Sequence, residues 1–290
     1  MKRIVLMTVM AAAMLAVKPQ CTLSDTVAVA ASGSAREKKG EKRIRQVVRT
    51  GNFISVSCGG AVDIHVSQGA LKVELYGTQE NLDKLEVKVN PAGMLTVKMK
   101  PGVRSMQGGT TLNISVPDIE KIVSNGSGDI IFSNDFKIRN LALVSNGSGD
   151  IATEAVTGKL LKITANGSGD IRVESFEGEK LIAVTNGSGD LRIERGELHT
   201  LKTTTHGSGD VSIEEVRCQY AELITTGSGD IDAYSLHASS LKGTATGSGD
   251  LECTGYDLLT LTRTGSGEIT YKGNPRQTHF SGRGGIHRRY

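Results

Sequence analysis

Tryptophan is absent from this chain of 290 residues, aromatic residues make up only 4% of it, and proline occurs five times. The scarcity of aromatics means that a core must be assembled from Ile, Leu, Val, Ala and Thr. It also argues against a broad sugar-stacking platform. The scarcity of proline beside 36 glycines excludes a proline-rich disordered tract and points to many tight turns. Charge of one sign is lacking too: the formal net charge is +3, which argues neither for nor against an acidic partner. The six histidines form no H-E-x-x-H pattern and the cysteines no C-x-x-C, so no zinc signature is present. Cys58, Cys218 and Cys253 follow no regular spacing and read as buried free thiols rather than a disulfide framework. The G-x-S-x-G nucleophile elbow is missing.

Long apolar runs are missing except at the N-terminus. Lys2 and Arg3 precede an apolar stretch from Ile4 to Val17, which Lys18 and Pro19 end. Its 14 residues suit the apolar region of a secretory leader and are too short to span a bilayer comfortably. Residues 1–30 are therefore expected to be a signal peptide. Ala28-Val29-Ala30 offers one cleavage pattern, and Cys21 offers another, before a lipid-modified cysteine. The mature protein is expected in the periplasm or on the outer cell surface, with no membrane span. Residues 31–50 read as a charged linker. Their basic residues are interrupted by Glu37 and Glu41 with few aromatics nearby, so no nucleic-acid partner is expected.

What the chain does have is a repeat. The tetrapeptide G-S-G-D begins at Gly126, Gly147, Gly167, Gly187, Gly207, Gly227 and Gly247, and G-S-G-E follows at Gly265. The spacings are 21, 20, 20, 20, 20, 20 and 18 residues. Directly after each acidic residue stands an aliphatic: Ile130, Ile151, Ile171, Leu191, Val211, Ile231, Leu251 and Ile269. A second apolar patch follows about 11 residues after the Asp, at Leu141, Leu161, Leu181, Leu201 and Leu241. The pattern implies two short strands and two turns per repeat. Such a unit is too small to fold alone and must bury its inner face against copies of itself. The expected fold is all-β: a parallel β-helix of about eight coils over residues 124–290, with a degraded terminal repeat. At about 4.8 Å per coil the rod would be roughly 35–40 Å long.

The turn accounts for its own composition. Glycine takes positive φ without a Cβ penalty, and Asp can accept from turn N–H groups. Asn125, Asn146, Asn166 and Asn186 precede the first four tetrapeptides and should form an amide ladder. With Gly126, Gly147, Gly167, Gly187, Gly207, Gly227 and Gly247 they form the expected structural turn column. No Lys-Ser/Thr pair follows the glycines, so the motif is not a phosphate loop. Residues 51–123 are also β-rich but less regular and should cap the first coil. Asn90-Pro91-Ala92-Gly93 should join Leu85–Val89 to Leu95–Met99 as a hairpin.

An exported chain with an irregular β-rich start and serial N-G-S-G-D-I turns resembles the head GIN domain family of autotransporter-adhesin-like proteins, widespread in Bacteroidetes. The resemblance covers about Phe53 to Ile286 and includes Gly59-Gly60-Ala61-Val62-Asp63-Ile64. It implies a right-handed β-helix of the cell envelope and supplies no catalytic residues. Fold alone does not establish function.

Three chemistries compete for the column Asp129, Asp150, Asp170, Asp190, Asp210, Asp230 and Asp250. A polysaccharide-active enzyme would need two carboxylates in different environments within a pocket, whereas the column repeats one environment. Calcium between coils would need more oxygen ligands than one Asp per coil supplies, although a calcium-stabilised module remains an alternative at these seven residues. Like charges about 5 Å apart in water repel by less than ~1 kcal/mol, so no cation is demanded. The favoured reading is a non-catalytic, adhesin-like binding scaffold without a cofactor, whose partner is a glycan or an envelope protein.

Overall fold

The computed structural model describes residues 22–27, 42–133, 135–282 and 284–290. The apolar run of the expected leader lies outside them. From Asp129 onward the chain winds as a parallel β-helix, each coil in register with the next. The register shows why twenty residues suffice for one coil. Ile151–Thr153, Ala155–Gly158 and Leu160–Gly167 each pair with the equivalent segment twenty residues on, while Glu154 and Lys159 drop out of the pairing. Each coil therefore has three sides, not the two inferred from the apolar spacing. The middle side was invisible to that spacing because it sends few side chains inward: within this coil Val156 is its one buried residue, against Ile151 and Thr153 on the first side and Leu161, Ile163 and Ala165 on the third.

Core volume is balanced within each coil. Phe176 is fully buried, and a Cβ on Gly178 would lie 2.9 Å from the Phe176 ring. In the following coil the sizes are exchanged: Gly196 occupies the Phe176 position and Leu198 the Gly178 position. Interiors this dense tolerate a large residue only where a neighbour is small. Phe132 and Phe136 fill the first repeat coil edge-to-face, with ring centroids 5.1 Å apart.

The parallel stack reaches further toward the N-terminus than the repeat does. Ser55–Gly60 pairs in parallel with both Lys121–Gly126 and Met94–Met99. Val62–Gln68 pairs in parallel with both Ile130–Phe132 and Thr110–Val116. Residues 55–68 thus form a coil inserted between two that follow it in sequence. Antiparallel strands then close this end. Lys72–Thr78 lies against Thr110–Val116, and Leu85–Val89 forms the expected hairpin with Met94–Met99. A short helix, Gln79–Asp83, is capped by the Thr78 hydroxyl, which accepts the Asn81 N–H at 3.2 Å. One expectation needs correction: the linker at 31–50 ends in a strand. Arg43–Arg49 pairs antiparallel with Lys72–Thr78 and buries Ile44 and Val48. Its charged residues concealed two apolar anchors four residues apart. Thr22–Val27 in turn pairs antiparallel with Arg43–Arg49.

Candidate functional site

The tetrapeptide corner is the most repeated surface of the rod, and its geometry explains each residue. Gly187 has φ +141°, and a Cβ there would lie 1.9 Å from the Gly167 carbonyl oxygen. A Cβ on the second glycine, Gly189, would lie 2.0 Å from the Gly169 oxygen. Coils stack so closely at this corner that both positions exclude any side chain. Beneath it, Ser124, Ser145 and Thr225 donate their buried hydroxyls to the carbonyls of Gly128, Gly149 and Gly229.

The acidic column is held to the backbone. Asp150 N–H donates to Asp129 Oδ1 at 2.9 Å, Asp170 N–H to Asp150 Oδ1 at 2.8 Å, and Asp190 N–H to Asp170 Oδ1 at 2.8 Å. The pattern continues through Asp210, Asp230 and Asp250 to the N–H of Glu268. It starts one coil before the repeat, where Asp129 N–H donates to Asp63 Oδ1 at 3.2 Å. The degenerate Gly59-Gly60-Ala61-Val62-Asp63-Ile64 was the sequence signal for that extra member. Alongside, Asn146 Nδ2 donates to Asn125 Oδ1, Asn166 to Asn146 and Asn186 to Asn166, at 2.9, 2.8 and 2.7 Å. The column is continuous but chemically uniform, without the paired unlike carboxylates of acid–base catalysis. Among the described residues, no group of three or more His, Cys, Asp or Glu side chains is placed to hold a metal ion. A calcium ion between Asp129 and Asp250 would have to rely on carboxylate oxygens not already bound to a backbone N–H.

A different surface breaks the uniformity. Pairing stops on the first side at Ser212–Asp232 and resumes on the middle side at Arg217–His237. Between them the chain turns at Tyr234-Ser235: Asp232 Oδ1 accepts the Tyr234 N–H at 3.2 Å, and Leu236 N–H donates to the Ala233 carbonyl. The next coil is the one with the 18-residue spacing, and it presents Tyr256 beside this turn. The result is a groove of about 760 Å³ lined by Arg195, Glu215, Arg217, Tyr234, His237 and Tyr256, among others. The Tyr256 hydroxyl and His237 Nδ1 lie 2.5 Å apart, and their rings are 5.1 Å apart at 32°. Tyr256 remains 39% exposed, so its outer edge is open to a ligand. Burial pushes the Tyr256 and Tyr234 phenols above their ordinary range. Sequence reading missed this groove because it sought recurring residues. The signal that marks it is the one place where the period shortens.

The three described cysteines are buried and free. Burial pushes Cys58 and Cys253 up to about 12 and Cys218 up to about 11, so all three stay as inert thiols. Among the described residues no helix is long and apolar enough to cross a membrane.

The family model described as "Putative auto-transporter adhesin, head GIN domain" matches the chain twice, over residues 52–216 and 156–275. No curated protein matches it in sequence. Among solved structures, it is similar to that of a putative lipid binding protein from Parabacteroides distasonis. The two are 20% identical with a TM-score of 0.65, over 87% of this chain and 98% of the other. A putative adhesin from Parabacteroides merdae gives 19% identity and a TM-score of 0.66 over the same shares. A putative adhesin from Parabacteroides distasonis gives 20% and 0.64, over 86% and 98%. At such identities these likenesses show the fold.

Proposed function

This chain belongs to the auto-transporter adhesin, head GIN domain family, and we propose that it is a non-catalytic, exported scaffold of the cell envelope that binds a glycan. The observation that carries this reading is the groove at Tyr234, His237 and Tyr256. It is the point where a uniform rod gives way to a recess with aromatic faces and planar charged groups. Saccharides are recognised by that combination: an exposed ring takes the apolar face of a sugar, and Arg and Glu side chains bond its hydroxyls. Inward side chains are consumed by packing, and the Asp column by backbone bonds. A family described as adhesins accords with an exported or surface location.

Saturation-transfer NMR with purified cell-surface polysaccharide is the test. Transfer to the sugar protons, lost on Tyr256→Ala and Arg217→Ala in variants that retain the wild-type circular dichroism spectrum, is the expected result. Equal transfer to wild type and both variants would place binding elsewhere. Absence of transfer to any saccharide, with capture of an envelope protein instead, would replace the glycan by a protein ligand.

A further inference from the structure

The charge of the rod is unevenly placed. Between residues 118 and 268 there are 23 Asp and Glu against 13 Lys and Arg. After Glu268 no acidic residue occurs, while five cations do: Lys272, Arg276, Arg283, Arg288 and Arg289. Lys272, Arg276, Arg288 and Arg289 belong to the last windings of the stack, where Gln277–Ser281 pairs with Leu258–Thr262 and Ile286–Arg288 with Ile269–Tyr271. The cations at the opposite end are largely matched by acids on neighbouring strands, as in Lys72 with Glu74 and in Lys98 with Glu86. Among the described residues, Arg276 of the last windings pairs with Asp257 of the preceding coil. Lys272 sits 3.7 Å from the centre of the Tyr234 ring, and Arg288 stands over Tyr290. Phe280, 44% exposed, stands on the terminal strand Gln277–Ser281, its ring 5.4 Å from that of Tyr271.

We propose that this terminal winding docks the rod end-on against an anionic lipid surface. Lipid phosphates would meet the cations, and Phe280 would enter the headgroup region. Edge cations also keep sheets from pairing with one another. That role explains Lys and Arg at a terminal rung, but neither the complete loss of acids nor an exposed aromatic among them. The acidic flank favours the end-on orientation, because the sides of the rod carry 23 carboxylates against 13 cations and a net negative charge repels lipid phosphates. The two surfaces meet at Tyr234, over which Lys272 sits, but the ligand differs, and Arg276, Phe280 and Arg288 lie outside the lining of the groove.

Co-sedimentation of the purified exported protein with vesicles decides it. Vesicles of phosphatidylglycerol and phosphatidylcholine (1:3) should bind the protein in dilute salt and release it in concentrated salt, where screening removes the attraction. Pure phosphatidylcholine should not bind it. Each cation near an anionic surface contributes about a factor of five, so Arg276→Gln with Arg288→Gln should weaken partitioning about 25-fold. Phe280→Ser should weaken it without changing its salt dependence. Circular dichroism of each variant establishes that it is folded. Failure to bind phosphatidylglycerol vesicles, or wild-type binding by the folded double variant, overturns the proposal. So does binding to dextran sulfate without binding to vesicles, which would assign the patch to an acidic polysaccharide. None of these results bears on saccharide binding at Tyr256.

Discussion

Replacement of Gly187 by Ala tests the stacking of coils at its tightest point. The new Cβ would stand 1.9 Å from the Gly167 oxygen, whereas real Cβ contacts essentially never fall below 3.0 Å. The two coils must therefore part locally by about 1 Å against a stacking distance of about 4.8 Å. The same Gly167 oxygen accepts the Ser188 N–H at 3.0 Å, so separation also breaks a hydrogen bond. Backbone strain at a φ of +141° adds roughly 1–3 kcal/mol and the lost bond roughly 1–3 kcal/mol, for a total of about 4 kcal/mol. In a domain of this size that lowers the melting temperature by about 8 °C. Gly102→Ala is the control. Gly102 has φ +86° with nothing within 4 Å of an added Cβ, so only backbone strain remains, about 1 kcal/mol. Urea unfolding followed by circular dichroism compares the two. Equal midpoints would refute the argument that close approach between coils dictates the tetrapeptide.

Three further outcomes follow from the same geometry. Asp190→Asn keeps an oxygen for the Asp210 N–H and should change stability by less than about 0.5 kcal/mol, whereas Asp190→Ala removes the acceptor and should cost about 1 kcal/mol in urea unfolding; equal losses would mean that charge, not acceptance, matters. Thr203 buries a hydroxyl that has no hydrogen-bond partner, so the isosteric Thr203→Val should stabilise the protein by about 1 kcal/mol, and a loss of stability would reveal a hidden partner. Cys58 and Cys253, raised to about 12 by burial, should resist a thiol reagent at pH 8 in native protein and react at once in guanidinium; rapid native labelling would show that the coil opens.

Much of this architecture was legible because a solenoid writes its period into the chain. Asp190 recurs twenty residues after Asp170 because the two occupy the same corner, one coil apart. The order of the first coils was not legible. Residues 55–68 insert between coils formed later in sequence, and an alternating strand such as Val62–Gln68 carries no mark of which neighbours it will choose. The middle side was hidden for a related reason: it sends in one residue, such as Val156, or two, such as Val216 and Cys218, too few to make a periodicity. Arg43–Arg49 hid its anchors among charges. The groove escaped notice because a binding recess in a repeat protein is an exception to the repeat, set here by the turn at Tyr234-Ser235 and a coil two residues short. Lys202–Glu222–Lys242 shows the converse case. Glu222 lies 2.5 Å from Lys202 and 3.0 Å from Lys242, and those hydrogen bonds hold its carboxyl below the usual range, yet lysine and glutamate alternate along the three coils and formed no visible column.

The account turns on the claim that the acidic column serves the backbone and leaves ligand contact to the groove. Thermal unfolding in EDTA and then in millimolar Ca²⁺ tests it most directly, because a ligand that binds only the folded state raises the melting temperature. The geometry predicts the same midpoint, within about 1 °C, in both solutions. A rise of several degrees in Ca²⁺ that disappears in a variant with Asp170 and Asp190 both changed to Asn would contradict it, and would make the column a metal-binding surface.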